Sequence, residues 1–220
     1  MGYDTGAPTV TPRPRYPRLL LATTNPGKIR EIRVVLAGLP LELLTLADLP
    51  ALDAPDETGG TFAENAKIKA IAYAAAFGLP TAAEDSGLAI DALEGRPGVH
   101  SARYPGATYP DRFGNLYREL TPHARPWTAR FVCALAFVDP RDAASLVEAV
   151  KPVRFHTEAT VEGEITDQPR GTNGFGYDPI FFYPPYGCTL AEVDSGRKLA
   201  VAHRGQAFAR FRAWLADATD

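Results

Sequence analysis

A short apolar strand that leads directly into a capped helix is the feature that most constrains the fold of this chain. The apolar run Arg18–Thr23 ends in a Thr-Asn-Pro-Gly turn, and a helix-like stretch then continues to about Ala37. Asn25 is a favourable N-cap, and Pro26 suits the first helical position because its missing N–H has no partner within the helix. The pattern therefore predicts a strand, a tight turn and a helix in direct succession.

A second helix is predicted by the sequence Thr-Phe-Ala-Glu that begins at Thr61. In this capping box, the threonine side chain and Glu64 satisfy free backbone N–H groups reciprocally. The helix is expected to run to about Phe77, because Gly78 can adopt the left-handed conformation that ends a helix and Pro80 prevents continuation.

Strand patterns dominate the rest of the chain, and they suggest an extended mixed sheet. The predicted strands are Thr81–Glu84, Leu88–Leu93, Ala129–Val138, Val153–Val161 and Pro179–Tyr183. Asp-Ser-Gly separates the first two, and a hairpin or short excursion is expected between the third and fourth. Residues 171–179 are too rich in glycine to form anything but a loop. A closing helix is predicted over about 205–216, with its apolar residues on one face.

Composition narrows the class of protein. With 220 residues, of which 45% are hydrophobic, the chain can bury one large core or two small lobes that share a cleft. The net charge of -3 argues against nonspecific duplex binding, which needs a basic face that neutralises phosphates. No apolar stretch approaches the roughly 20 residues of a membrane helix. We therefore expect a soluble protein without nucleic acid or membrane partners.

The cysteines and the N-terminus bear on location and domain limits. Cys133 and Cys188 lie far apart in the sequence and are expected to be free thiols, which favours a reducing compartment and predicts the cytoplasm. Residues 1–17 contain four prolines and no apolar signal-peptide core. They are predicted to be a disordered extension that precedes a single two-lobed domain over residues 18–217.

Three groups of polar residues are candidates for chemistry, and the first is the turn after the first strand. Such a turn presents backbone N–H groups and the positive end of the helix dipole to an anion, and Lys28 adds a charge. The turn is not a P-loop, since Ala22 and Ile29 stand where that motif needs glycine and serine or threonine. On this segment alone, an ordinary capped helix with a solvent-exposed lysine remains the alternative.

The second group is acidic. Glu57 precedes the second helix, and Glu84 and Asp85 end a predicted strand, where Asp85 would be exposed as a general base. Adjacent strand residues point to opposite faces, so one of the latter pair is expected to face any given metal. Carboxylates from separate segments suit Mg²⁺ when phosphates and water complete its coordination. Lys69, on the same helix face as Asn65, is a phosphate candidate. Solvated acid pairs and a surface lysine are the structural alternatives.

The third group comprises the glycine-rich loop and the residues before the last helix. Phe175, between two glycines, is a poor core residue there but a suitable stacking platform for a nucleobase, and Asp178 has the chemistry to accept N–H donors of a base. Lys198, His203 and Arg204 form the last cluster, in which Arg204 has donors for a carbonyl or a phosphate. A β-bulge with a core phenylalanine, and a helix cap beside a surface pair, are the alternatives.

Six motifs occur in one order along the chain, and together they carry a resemblance that none carries alone. They are Ala-Thr-Thr-Asn-Pro-Gly-Lys at 22–28, Glu-Thr-Gly-Gly-Thr-Phe-Ala-Glu-Asn at 57–65, Glu-Asp-Ser-Gly-Leu at 84–88, Gly-Val-His-Ser-Ala-Arg-Tyr at 98–104, Gly-Phe-Gly-Tyr-Asp-Pro at 174–179 and His-Arg-Gly at 203–205. From about residue 18 to 216, the chain closely resembles the inosine triphosphate pyrophosphatase family, the hydrolases of non-standard purine nucleoside triphosphates.

The resemblance implies an α/β fold with two lobes around a long mixed β-sheet, a central substrate cleft and a homodimer. It also implies Mg²⁺-dependent attack of water on the α-phosphate of ITP, dITP or XTP, with the monophosphate and pyrophosphate as products. By this resemblance Asp85 is the proton acceptor with Lys69 beside it, and Glu57, Glu84 and Asp85 serve the metal. The substrate-binding residues that it implies are Thr23, Thr24, Asn25, Gly27, Lys28, Lys69, Ser86, Phe175, Gly176, Tyr177, Asp178, Lys198, His203 and Arg204.

Two residues depart from the family pattern. Ala202 stands where many relatives carry serine, which removes one hydrogen bond near the base, and Glu84 stands where many carry aspartate, which lengthens a metal arm by a methylene. Neither change removes a charge.

Two other functions stay open on the sequence. One is a hydrolase for modified pyrimidine or other nucleotides that uses the same phosphate site. The other is a module that binds nucleotides without cleaving them. The second leaves the acidic residues unexplained, because carboxylates beside phosphates are repulsive unless a cation intervenes.

Overall fold

The computed structural model describes residues 15–141 and 153–218, which build a seven-stranded mixed sheet with helices on both faces. The strands are β1 (Arg18–Leu21), β2 (Glu42–Thr45), β3 (Thr81–Ile90), β4 (Thr128–Val138), β5 (Val153–Ile165), β6 (Phe181–Tyr183) and β7 (Cys188–Thr189), and they lie in the order β2-β1-β3-β4-β5-β6-β7. The helices are α1 (Pro26–Leu36), α2 (Phe62–Phe77), α3 (Tyr109–Leu120), α4 (Ser195–Val201) and α5 (His203–Asp217).

The strand-to-helix turn at the start of the chain forms as predicted. Asn25 caps α1, because its Oδ1 accepts hydrogen bonds from the backbone N–H groups of Gly27 and Lys28 at 2.9 and 3.2 Å. β1 is parallel to both β2 and β3, whereas the later strand pairs are antiparallel. The turn therefore lies at the carboxyl end of β1, next to β3.

The predicted limits of the second helix are also confirmed. The Thr61 side chain accepts a hydrogen bond from the Glu64 backbone, and the Glu64 side chain accepts one from the Thr61 backbone. Gly78 ends α2 in the left-handed conformation, with φ at 62°. Local capping chemistry thus fixes the helix that covers one face of the sheet.

β3 differs from the prediction, because it is one strand of ten residues and not two short ones. It pairs with β4 along its whole length, and this continuous antiparallel ladder outweighs the local tendency of Gly87 to interrupt a strand. The glycine instead permits a close approach, since a Cβ there would lie 2.4 Å from Ser101 Oγ. Asp85 and Ser86 therefore lie in the middle of a largely buried strand and not at a strand end.

Apolar clusters divide the molecule into two lobes along the long strands. In one lobe, α1 and α5 cover one face of the sheet with residues such as Phe208 and Phe211, and α2 covers the other with small residues such as Ala66. In the second lobe, Leu116 of α3 packs in a cluster with Phe181 of β6. β3 and β4 contribute residues to both lobes. The predicted α/β fold with two lobes around a long mixed sheet is confirmed.

The predicted start of the fold and the predicted start of the last helix both need correction. Tyr16, which the sequence pattern assigns to the disordered extension, is only 3% exposed and packs against Phe137 and Trp214, with ring centroids 4.9 and 5.8 Å away. The fold therefore begins before β1. α5 begins at His203, so the His-Arg pair forms its first turn and does not precede it. Residues 1–14 and the connection at 142–152 lie outside the described residues. Among the helices of the described ranges, none has the length and apolarity to cross a membrane.

Candidate active site

A cavity of about 400 Å³ opens where the two lobes meet. Its walls come from the β1–α1 turn, α2, the middle of β3, the glycine-rich loop and the start of α5. Sites for small molecules usually measure roughly 300–1,000 Å³, so the cavity suits a nucleotide-sized ligand. The predicted site residues that line it are Thr23, Thr24, Asn25, Lys28, Glu57, Lys69, Glu84, Asp85, Ser86, Phe175, Gly176, Tyr177, Asp178, Lys198, His203 and Arg204.

The turn after β1 satisfies its own amides. Asn25 accepts the N–H groups of Gly27 and Lys28, and Thr23 Oγ1 accepts the Asn25 N–H at 3.2 Å. The Lys28 ammonium reaches into the cavity and lies 3.1 Å from Glu84 Oε1. An anion that uses the helix amides must therefore displace Asn25, whereas the ammonium charge is already in the cavity.

Glu84 lies fully buried on the face of β3 that points towards α1 and α5. Its Oε1 accepts the Arg204 Nε–H at 3.1 Å and lies 3.1 Å from Lys28 Nζ, while its Oε2 accepts the Cys133 thiol at 3.5 Å. Burial raises the pKa of Glu84, but the positive charges of Arg204 and Lys28 outweigh burial and hold that pKa well below its usual range. Glu84 is therefore ionised at neutral pH and fixes two cations in the cavity.

Asp85 points from β3 towards α2, on the opposite face from Glu84, as strand geometry predicts. Its Oδ2 accepts a hydrogen bond from Asn65 Nδ2 at 3.3 Å, and its Oδ1 accepts one from Lys69 Nζ at 3.2 Å. Burial raises the pKa of Asp85, and the neighbouring Lys69 and Lys28 do not cancel that effect. A carboxylate with a raised pKa, held in place by two donors, is suited to accept a proton.

Glu57 approaches Asp85 from the irregular segment that precedes α2. Its Oε1 lies 2.7 Å from Lys69 Nζ, and its Oε2 accepts the Arg103 Nη2–H at 2.7 Å. Burial alone would raise the pKa of Glu57, but Lys69 and Arg103 lower it below its usual range. Lys69 therefore bridges Glu57 and Asp85, and two carboxylates from separate segments converge on one ammonium.

The oxygens of Glu57 and Asp85 fit a hard divalent cation. Within residues 15–141 and 153–218, no cluster of three or more His, Cys, Asp or Glu side chains has metal-site geometry. Mg²⁺ is usually bound through one or two carboxylates, with substrate phosphates and water as its other ligands. Glu57 and Asp85 supply that kind of donor set. Glu84 gives one oxygen to Arg204 and Lys28, and its metal role stays a prediction.

A network of buried charges lies at the other end of the cavity. Lys198 of α4 contacts Asp178 Oδ2 and lies 2.7 Å from Glu31 Oε1. The other oxygen of Glu31 accepts the Arg204 Nη1–H at 2.8 Å, and Arg204 Nη2 donates to Ser86 Oγ at 2.8 Å. Lys198 and Arg204 are thus held rigidly at the cavity wall by side chains from α1, β3 and the glycine-rich loop.

The same end of the cavity has an aromatic face, and a buried nitrogen without a hydrogen-bond partner among the described residues lies in its wall. Lys198 Nζ lies 4.7 Å from the centre of the Phe175 ring, and Gly27 makes room for that ring, since a Cβ there would lie 2.7 Å from it. His203 stacks on Phe131 at 4.9 Å between ring centroids. Burial lowers the pKa of His203 well below its usual range, and its Nδ1 has no hydrogen-bond partner among the described residues. This end fits a flat ring that carries hydrogen-bonding groups.

Three residues that shape the cavity were absent from the predicted set. Glu31 lies one helical turn after Lys28, so helix periodicity places both on one face of α1 and was an available signal. Ser101 and Arg103 lie within the motif at 98–104, but the motif itself indicates no role for either. The Tyr177 hydroxyl donates to the Ser101 carbonyl at 2.8 Å, which ties the glycine-rich loop to this segment. For Ser101 and Arg103, only the three-dimensional contacts reveal the role.

Comparison with known proteins identifies the family. Residues 19–214 match the model of the Ham1 family. The dITP/XTP pyrophosphatase of Geobacter sulfurreducens is 45% identical over 196 residues, which cover 87% of this chain and 93% of that protein. The dITP/XTP pyrophosphatase of Listeria monocytogenes serotype 4b is 41% identical over 208 residues, which cover 92% and 97%. A solved HAM1 protein from Coxiella burnetii has a TM-score of 0.81 and 38% identity, covering 91% of this chain and 99% of that one. These similarities confirm the resemblance that the six motifs predict. The chain belongs to the Ham1 family.

Proposed function

We propose that this chain hydrolyses non-standard purine nucleoside triphosphates, namely ITP, dITP and XTP, to the nucleoside monophosphate and pyrophosphate. The reaction would use Mg²⁺ and would remove these compounds from the nucleotide pool. The names of the relatives support the substrate class. The observation that carries the proposal is the position of Asp85, a carboxyl with a raised pKa, beside Lys69 and Glu57 in a cavity whose far end suits a purine.

Each group near Asp85 has a distinct task in this reaction. Asp85 would accept a proton from the water that attacks the α-phosphate, and Asn65 and Lys69 keep its two oxygens oriented. Lys69 and Lys28 would stabilise the negative charge that develops on the phosphate oxygens. Glu57 and Asp85 would hold Mg²⁺, which when bound neutralises and polarises the triphosphate. The chain thus supports direct attack by water.

We call the end of the cavity that contains Phe175, Lys198 and Arg204 the base end. Its polar groups favour oxo-purines. Arg204 has five N–H donors, and within the described ranges Glu84, Glu31 and Ser86 take three of them, which leaves two for a ligand. Hypoxanthine and xanthine present an O6 acceptor, whereas adenine presents an amino donor. Adenine would leave a buried donor unsatisfied, at a cost of about 1–3 kcal/mol. Guanine also has O6, so its rejection must arise at the 2-amino group.

Product analysis with a panel of triphosphates tests the proposal. The protein is incubated with Mg²⁺ and with inosine, xanthosine, guanosine or adenosine triphosphate in ¹⁸O-water. We expect inosine and xanthosine triphosphates to be hydrolysed well above guanosine triphosphate, adenosine triphosphate to be poorest, and deoxyribose to matter little. The label should enter the monophosphate, because Asp85 delivers water to the α-phosphate. Chelation of Mg²⁺ should stop turnover.

Other outcomes would support other functions. Release of orthophosphate and a diphosphate would place the attack at the γ-phosphate and would contradict the mechanism. A preference for modified pyrimidine triphosphates would indicate a different house-cleaning hydrolase with the same phosphate site. Binding without turnover in Mg²⁺ would indicate a nucleotide-binding module.

Replacement of Lys28 by alanine should weaken phosphate binding specifically. The ammonium lies in the cavity beside Glu84, on the turn that is proposed to hold phosphates. Because a hydrogen bond to a charged group contributes about 1.5–3 kcal/mol, we expect inosine triphosphate to lose at least about tenfold in kcat/KM. The inhibition constant of the nucleoside inosine, which has no phosphate, should change little. Equal losses for both ligands would show instead that Lys28 has a structural role.

We also propose that the chain acts in the cytoplasm as a homodimer, without nucleic acid or membrane partners. The net charge of -3 supports the absence of a nucleic-acid-binding face. Both cysteines are free thiols, as predicted, which supports a reducing compartment. The dimer follows from the family resemblance, and sedimentation of the purified protein tests it.

A further inference from the structure

Arg103 differs from the other cations of the cavity in its exposure. It ends the 3-10 turn Gly98–Arg103, lines the cavity, and has a side chain that is 67% exposed. The side chains of Lys28, Lys69, Lys198 and Arg204 are only 17, 13, 5 and 3% exposed. Lys69, Lys198 and Arg204 each contact two carboxylates, and Lys28 contacts the fully buried Glu84. Arg103 instead holds the partly exposed Glu57, through Nη2 at 2.7 Å. Its guanidinium is therefore the cavity cation that can move at least cost.

The backbone that carries Arg103 is firmly attached to the sheet. Ser101 Oγ accepts the backbone N–H of Leu88 at 2.9 Å and donates to the Gly98 carbonyl at 2.6 Å. Gly87 allows this approach, because any larger residue would collide with Ser101. The turn thus has a rigid base on β3 and a solvent-exposed guanidinium at its end, which is a suitable arrangement for capturing an anion at the cavity entrance.

Contacts between neighbouring side chains link the charged groups of the cavity in series. Arg204, at the base end, contacts Glu84 on one face of β3, and Asp85 follows on the other face. Asp85 shares Lys69 with Glu57, and Glu57 in turn contacts Arg103. A nucleotide with its base near Arg204 and its α-phosphate near Asp85 therefore extends its outer phosphates towards Glu57 and Arg103.

Glu57 cannot bind Arg103 and a divalent cation equally well at the same time. A cation bound at its carboxylate would repel the guanidinium, and an exposed ion pair of this kind is weak. A guanidinium matches phosphate oxygens with two parallel N–H bonds. We propose, on the basis of the function proposed above, that Arg103 leaves Glu57 on substrate binding and binds the outer phosphates, which depart as pyrophosphate. Arg103 is thus a binding residue for the leaving group.

Calorimetric titration with the two reaction products distinguishes binding of the leaving group by Arg103 from a role of Arg103 in positioning Glu57. Wild type, Arg103→Ala and Arg103→Lys are titrated with inorganic pyrophosphate and with inosine monophosphate, in excess Mg²⁺. We expect Arg103→Ala to weaken pyrophosphate binding at least about tenfold and to leave monophosphate binding unchanged. Arg103→Lys should give an intermediate loss, because it keeps the charge but not the paired donors. Arg96→Ala is the control, since Arg96 has a similarly exposed side chain, 58%, that pairs with Glu119.

Titration with Mg²⁺ alone gives a second measurement. Arg103→Ala should bind Mg²⁺ at least as tightly as wild type, because a competitor for Glu57 has been removed. Weaker Mg²⁺ binding together with equal losses for both products would overturn the proposal and make Arg103 a positioning residue for Glu57. Unchanged pyrophosphate binding would also overturn it. Binding is measured without turnover, so the two proposals can fail separately. If Arg103→Ala selectively loses pyrophosphate binding but the wild type hydrolyses no triphosphate, the proposed activity is refuted and the binding role is not.

Discussion

Asp85→Asn is expected to lower kcat for inosine triphosphate at least about 100-fold, the lower range for loss of a general base. The amide keeps the size and shape of the side chain and can still accept a hydrogen bond from Lys69, but it can neither accept a proton at neutral pH nor offer a negative charge to Mg²⁺. Both proposed tasks of Asp85 are therefore removed by one substitution. Steady-state kinetics with saturating Mg²⁺ measures the loss.

The fold should survive this substitution. Because the pKa of Asp85 is raised in the folded chain, its ionised form is less favourable there than in the unfolded chain, and stability from this carboxyl is lost as pH rises through that pKa. At neutral pH the uncharged amide should therefore not lower the melting temperature, and Lys69 keeps Glu57 at 2.7 Å. Asp91→Asn is the matched control, since Asp91 follows the same strand but pairs with Arg130 at the surface. Near-normal kcat in Asp85→Asn would mean that another group accepts the proton.

Local chemistry explains why the helix limits could be predicted from the sequence. Asn25, Thr61 and Glu64 each bond to backbone groups within four residues, so their effect depends on neighbours in the chain. Gly78 ends α2 through its own backbone conformation, which is equally local. For the same reason the turn beside Lys28 could be placed next to the sheet before any contact was known.

Long-range contacts explain the errors. The Asp-Ser-Gly sequence in β3 resembles a break, and only pairing with β4, some fifty residues later in the chain, keeps it extended. The burial of Tyr16 depends on Trp214 at the opposite end of the chain. Ala202, which departs from the family pattern, caps α5 without a side-chain hydrogen bond and is fully buried.

In the candidate site, too, local sequence features were predictable, whereas long-range contacts were not. The motifs contain most residues of the cavity wall, but they could not show that Glu84 faces Arg204 while Asp85 faces Lys69. Nor could they show that Glu31 joins Lys198 to Arg204. The two adjacent carboxyls thus have separate tasks because they point to opposite faces of β3 and meet partners from three helices. The spacing of the motifs does not encode these contacts.

Arg204→Ala is expected to lower the free energy of unfolding by about 3–5 kcal/mol, the usual cost of removing one partner from a buried ion pair. Arg204 is 2% exposed and donates to Glu84, Glu31 and Ser86, so its loss leaves the buried carboxylate of Glu84 with Lys28 as its remaining cation. Urea unfolding measures the change. In a Glu84→Gln background the same substitution should cost less, because no buried charge is then left behind.

That background also separates base recognition from stability. Glu84→Gln and Glu84→Gln/Arg204→Ala are compared below their melting temperatures, with inosine and adenosine triphosphates as substrates. If a free N–H of Arg204 binds O6, its removal should lower kcat/KM for inosine triphosphate about tenfold to 100-fold more than for adenosine triphosphate, because only the oxo-purine loses a charge-assisted hydrogen bond. Inosine should lose affinity as an inhibitor as well, since the lost contact is to the base. Equal losses on both triphosphates, with inosine binding unchanged, would show that Arg204 supports the phosphate site or the fold and does not read the base.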